Sequence, residues 1–193
     1  MRFDPSKDII VVSGLPRSGT SMMMKMLEAG GLPILSDAIR TADEDNPKGY
    51  YEFERVKKIK EDKGWIPEAV GKVVKIISFL MVQMPPEYQY RVVFLRRAIP
   101  EVLKSQRQML VRRGENPDAS NDERMTQLYE KHLAQAFAWF ASQPNVEVLY
   151  IDHRRCVEEP RAVAEEVNAF LGGGLNVEAM SMVVDNSLYR QRA

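Results

Sequence analysis

Residues 14–23 read Gly-Leu-Pro-Arg-Ser-Gly-Thr-Ser-Met-Met and follow the apolar run Ile9-Ile10-Val11-Val12. Gly14 and Gly19 have the spacing of a phosphate-binding loop, and Thr20-Ser21 place hydroxyls just behind it. The lysine that such loops use for nucleoside triphosphates is missing. A glycine-rich turn that opens a helix gathers backbone N–H groups and the positive end of the helix dipole. Ser18, Thr20 and Ser21 add O–H donors, and Arg17 adds a permanent cation with a planar donor fork. The chemistry on offer is anion binding without the usual ammonium group. A sulfuryl ester carries about one negative charge where a terminal phosphoryl carries about two, so it needs less compensation.

A second cationic group stands at Arg96-Arg97, behind the apolar run Arg91–Leu95. A kinase would more often end that strand on a magnesium-binding Asp. Ser105 lies eight residues beyond Arg97, about two turns into the next helix. Lys75 ends or nearly ends another β-branched run, Lys72–Ile77. Asp43, Glu44 and Asp45 in the polar segment 36–50, and Glu52 at the start of the expected helix, are the carboxylate candidates for taking a proton from an acceptor, and Glu52 reads equally as a helix-start acid favoured by the dipole. His132 and His153 are the only histidines. His132 reads as packing or surface on a long helix; His153 follows the last strand and could approach the crevice, although Arg154 and Arg155 beside it suggest a solvated turn.

These groups need a frame. Strands are predicted at 8–13, 72–77, 91–95 and 146–151, and helices at 20–28, 51–63, 100–113 and 122–142. A further helix opens at Pro160 and ends at Gly172, and a short one follows near Val177. Met22, Met23, Met24 and Met26 read as flexible core filler. Strands alternating with helices imply a parallel sheet covered on both faces. The expected fold class is α/β, a P-loop NTPase-like α/β/α three-layer domain over 1–193, with a central parallel sheet of about four or five strands. Ligands of such sheets sit beyond the carboxyl ends of the strands, where the loop, Lys75 and Arg96-Arg97 all fall.

The chain has 193 residues, with 27 Lys plus Arg against 27 Asp plus Glu, so its charge points to neither nucleic acid nor membrane. Cys156 is the single cysteine, which excludes an internal disulfide and fits a reducing, cytoplasmic setting. Residues 1–8 lack an apolar signal-peptide core, and no apolar stretch is long enough to span a bilayer.

The segment Pro16-Arg17-Ser18-Gly19-Thr20-Ser21 after a strand resembles the loop of sulfotransferases that use 3′-phosphoadenosine 5′-phosphosulfate (PAPS). The resemblance implies that these six residues grip the 5′-phosphosulfate. In that family an Arg at a strand end and a Ser eight residues on hold the 3′-phosphate. This selects Arg97 with Ser105 over Arg96, which has Lys104 at that distance. Ala98-Ile99 depart from the family's usual Asp/Asn-Pro. The stretches DNPKGYYEFERV, YEKHLAQAFAWFASQPNVEVLYID and AFLGGGLNVEAMSMVVDNSLYRQR also resemble bacterial members, so the likeness covers most of 8–192. It places Arg190, with Arg192, where the tail could close over the nucleotide, and the same residues read equally as a frayed basic terminus.

The reaction implied is metal-independent, in-line transfer of a sulfuryl group to a hydroxyl or amine of a small-molecule, carbohydrate or lipid acceptor. Arg17 and Lys75 would stabilise charge. Where some members have a catalytic His, this chain has Ile77. The base is therefore sought among carboxylates, Glu52 first and Glu44 second. Residues 36–70 and 109–125 would form the acceptor pocket, with Tyr50, Met81, Met84 and Met109 as an apolar wall or as core. Two rival readings stand beside this one. A P-loop kinase or NTPase would use Asp152 in VEVLYID as a Walker B acid; a non-catalytic relative would only bind nucleotide.

Overall fold

The computed structural model describes residues 4–37, 51–116 and 122–184. Five strands, β1 Asp8–Gly14, β2 Ile34–Leu35, β3 Val73–Lys75, β4 Gln89–Arg96 and β5 Val146–Asp152, form one sheet in the order β2-β3-β1-β4-β5. Every pairing is parallel. The central strand β1 is buried along its whole length, as its unbroken apolar run requires. Its register sets Gly14 opposite Leu95, and Val12 opposite Lys75, so both neighbouring strands end beside the loop.

Helices cover both faces. On one, α1 Thr20–Ala29, α5 Pro160–Phe170 and α6 Val177–Met182 bury Met23, Met24, Met26, Val163, Val167 and Met180 against Ile10, Val12 and Val93. The methionines do fill the core. On the other, Ala136 and Phe140 of α3 Asp122–Ser142 pack on Val92 and Phe94 with Trp65, Met81 and Met84. Met81 and Met84 are thus core and not an acceptor wall. A third cluster joins Leu15 to Val102 and Leu103 of α2 Ile99–Arg112 and to Tyr129 of α3. No helix among the described residues is long and apolar enough to cross a membrane.

The helix expected over 51–63 is a short 3-10 turn, Glu54–Lys58. Arg55 bonds Asp62 and Glu68, and Asp62 accepts from the Gly64 backbone N–H; these contacts fold the segment back. Val56, Ile59, Trp65 and Ile66 all reach one buried cluster. Four elements were not anticipated, among them the 3-10 helices Ile66–Ala69 and Ser78–Gln83. The two-residue strand β2 is too short to show alternation, and α4 His153–Glu158 follows β5 directly.

Candidate active site

The loop between β1 and α1 is built by two glycines that tolerate no side chain. A Cβ on Gly14 would lie 2.4 Å from Ser18 Oγ and 2.7 Å from the Leu95 carbonyl oxygen, and one on Gly19 would lie 2.5 Å from His153 Cδ2. Gly19 has φ 98°, and Arg17 has φ 68°, uncommon for a residue with a side chain. Ser18 is buried, and its Oγ meets no partner among the described residues. A buried hydroxyl left so is costly unless a ligand satisfies it. The loop's N–H groups, hydroxyls and arginine suit a tetrahedral oxyanion.

Arg17, Ser105, Arg97 and Glu101 form one network. Arg17 Nε donates to Ser105 Oγ at 3.2 Å. Arg97 Nη1 donates to the Arg17 carbonyl oxygen at 3.0 Å, and Arg97 Nε donates to Glu101 Oε2 at 2.9 Å. Arg97 and Glu101 are 9% and 10% exposed at their side chains, so this is a buried pair tied to the loop. Arg96 behaves differently. Facing Asp152 in register across β4 and β5, it forms a two-armed bridge at 3.0 and 3.3 Å, with both side chains about half exposed. The acid of the Walker B-like stretch therefore sits in an ion pair with an arginine.

His153 is not in a solvated turn. It starts α4, is 8% exposed and lies under Gly19. Burial, with the neighbouring Arg97 charge, pulls its pKa down to about 4. The adjoining exposed arginines misled because they point away: Arg154 pairs with Glu158, and Arg155 with Glu166. Glu101 was also missed, although its place four residues after Arg97 on a helix is the spacing of an ion pair.

Lys75 is no solvated lysine: its side chain is 9% exposed and its Nζ lies 3.9 Å from Glu52 Oε1. Glu52 Oε2 lies 3.5 Å from Lys57 Nζ. The Asp37 backbone N–H donates to the Glu52 carbonyl oxygen at 3.2 Å, which brings Glu52 from the far side of an intervening segment to the sheet edge. Glu52 precedes the 3-10 turn and is not a helix-start acid. So Lys75 and Glu52, far apart in sequence, meet at the end of β3. An apolar cavity of about 290 Å³ opens beside Arg97, lined by Leu15, Phe94, Leu133 and Phe137 among others. Asp43, Glu44, Asp45, Tyr50, Arg190 and Arg192 lie outside the described residues.

No protein-family model matches the chain, and no curated protein matches it. Solved structures do. A sulfotransferase domain from the Synechococcus PCC 7002 olefin synthase aligns at 14% identity and TM-score 0.57, over 98% of this chain and 81% of that one. Mouse sulfotransferase SULT7A1, complexed with PAP, aligns at 16% identity and TM-score 0.57, over 100% and 69%. A sulfotransferase domain from the curacin biosynthetic pathway aligns at 13% identity and TM-score 0.55, over 100% and 93%. The chain has the α/β/α fold of these sulfotransferases, with its parallel sheet and its loop after the first strand.

Proposed function

We infer that this chain is a sulfotransferase that moves a sulfuryl group from PAPS to a hydroxyl or amine. The observation that carries this reading is the joint placement of Arg17, Arg97 and Ser105: two cations and a hydroxyl from separate elements meet at a lysine-free loop. A nucleotide with a phosphosulfate at one end and a 3′-phosphate beside it has two anionic groups for such a pair of sites. Mouse SULT7A1, of the same fold, is described as complexed with PAP, the product nucleotide.

Pro16, Arg17, Ser18, Gly19, Thr20 and Ser21 hold the 5′ end, and the buried Ser18 hydroxyl gains a partner there. Arg97 and Ser105 hold the 3′-phosphate; Arg190, if the tail closes, adds a further cation. In the transfer, an acceptor oxygen or nitrogen forms a bond to sulfur as the bond from sulfur to the 5′-phosphate oxygen breaks. Charge grows on that leaving oxygen, and Arg17, Lys75 and the start of α1 are placed to offset it. Glu52, bound to Lys75, receives the acceptor's proton, with Glu44 as the alternative. No step calls for a metal.

Incubation with PAPS and an acceptor panel in excess chelator tests this, reading 3′,5′-ADP by chromatography. Release should persist in chelator and disappear in Arg17→Ala, whose circular dichroism should match the parent. Magnesium-dependent turnover of ATP in place of PAPS would instead establish the kinase reading, which Asp152 alone favours.

A further inference from the structure

Among the described residues, two that carry a side chain adopt a positive φ. One is Arg17 of the loop; the other is Tyr51, at φ 52°, directly before Glu52. A residue with a Cβ holds that conformation only where its surroundings fix it. The Tyr51 hydroxyl donates to Glu28 Oε2 at 2.6 Å. Burial and the Glu28 carboxylate push the phenol well above its ordinary range, so it keeps its proton as a donor. Glu28 is itself placed against a local rule. It sits in the last turn of α1, which has no basic residue, and there the negative end of the helix dipole disfavours a carboxylate. Two choices that each cost stability thus meet in one hydrogen bond. Local conflicts of this kind gather at functional or strained sites.

What the bond holds is a strap across the sheet edge. Tyr51 packs on the cluster of the α1 face, while Phe53 packs on the opposite one, edge-on to Trp65 with centroids 5.6 Å apart. The chain therefore passes from one face to the other at Glu52. Two hydrogen bonds fasten it just beyond β2: the Asp37 N–H donates to the Glu52 carbonyl oxygen, and the Glu54 N–H donates to Asp37 Oδ2. Tyr51 supplies the tether on the other side, to α1. Between these anchors the Glu52 carboxylate stands 3.9 Å from Lys75 Nζ and 3.5 Å from Lys57 Nζ.

We propose that Tyr51 and Glu28 form a latch that positions Glu52 to take the acceptor's proton. This deepens the sulfotransferase reading and rests on it for the role of Glu52. Tyr51 and Glu28 act through Glu52 and are positioning residues. A carboxylate serves as a base only within hydrogen-bond reach of the proton it takes, and a displacement of about 1 Å lowers the rate of transfer. Loss of the latch therefore slows the transfer step, while the loop, Arg97 and Ser105 keep their hold on the nucleotide.

Turnover of PAPS by the full chain tests the latch, read as 3′,5′-ADP release with the panel acceptor that the wild type uses fastest. Tyr51→Phe and Glu28→Ala should each lower kcat about fivefold, and together no further. The KM for PAPS and the affinity for 3′,5′-ADP should stay within about twofold of the parent. Glu28→Gln keeps an acceptor oxygen and should retain roughly half of the parental kcat or more. In a Glu52→Gln background, Tyr51→Phe should change kcat by less than about twofold, because the group it positions is gone. Glu28 is exposed, so Glu28→Ala keeps the test valid should Tyr51→Phe unfold. Parental kcat in both single variants overturns the proposal. So does a loss of about fivefold that persists in the Glu52→Gln background, since it cannot run through Glu52. If the wild type releases no 3′,5′-ADP with any acceptor, the transfer reading fails by itself, and amide exchange decides the latch. The Glu54 N–H should then exchange about fivefold faster in Tyr51→Phe than in the parent, and equal rates overturn the proposal.

Discussion

Gly19 and His153 show how single residues shape the loop. Gly19 keeps φ 98° with the His153 ring where a side chain would be, so a methyl group there meets both backbone strain and a clash. Gly19→Ala should cost about 1–3 kcal/mol in urea unfolding and weaken nucleotide binding with it. His153 also ties the loop to pH. Its folded pKa, about 4, lies below the ordinary histidine value, so the unfolded chain binds the extra proton. Its contribution is full above about pH 6.5 and falls by up to about tenfold in the folding constant per pH unit toward pH 4. His132, also shifted down by burial, adds in the same sense. Melting of His153→Gln from pH 7 to 4.5 should show a shallower loss than the parent; an equal slope would place the proton elsewhere. The strand–loop–helix corner that carries Arg17 and Ser18 was legible because it is a local pattern. The place of His153 after the last strand allowed it to approach the crevice, but its burial under Gly19 is visible only in the fold.

At the scale of elements, the strand-end pair Arg96-Arg97 is divided by the geometry of β4. Arg96 stays in register with Asp152 of β5, and Arg97, at the entrance to α2, turns to the loop. Arg97→Ala should reduce 3′,5′-ADP affinity by about tenfold or more, whereas Arg96→Ala should change it by less than about threefold, by calorimetry. Ser105→Ala removes the acceptor of the Arg17 Nε–H and the proposed phosphate contact together, so both affinity and turnover should fall. Helix α3 was read from sequence with the bounds it has, because its amphipathic pattern is long and its ends are polar. Residues 51–63 were misread, since their apolar positions serve a folded-back segment held by Arg55 and Asp62, which are seven apart. The meeting of Glu52 with Lys75 depends on the Asp37–Glu52 backbone bond across a long connection, and no local spacing encodes it.

The molecule as a whole separates a structural end from the end at which the chemistry is proposed. At the amino ends of the strands, Arg91 is buried between Asp8 and Glu147 across β1, β4 and β5. Asp8→Asn weakens that cluster while leaving Glu147 on Arg91, and should cost about 1–3 kcal/mol of stability without altering nucleotide affinity of the folded protein. At the carboxyl ends lie the loop, Arg97 and the Lys75–Glu52 pair. This division was legible from strand alternation alone, because parallel sheets place ligands there. What a nucleotide would add is decided most directly by calorimetric titration of 3′,5′-ADP and 5′-ADP, in chelator, into the full chain. The account predicts at least about tenfold tighter binding of 3′,5′-ADP, and loss of that preference in Arg97→Ala. Equal affinity for the two nucleotides in the wild type would contradict it.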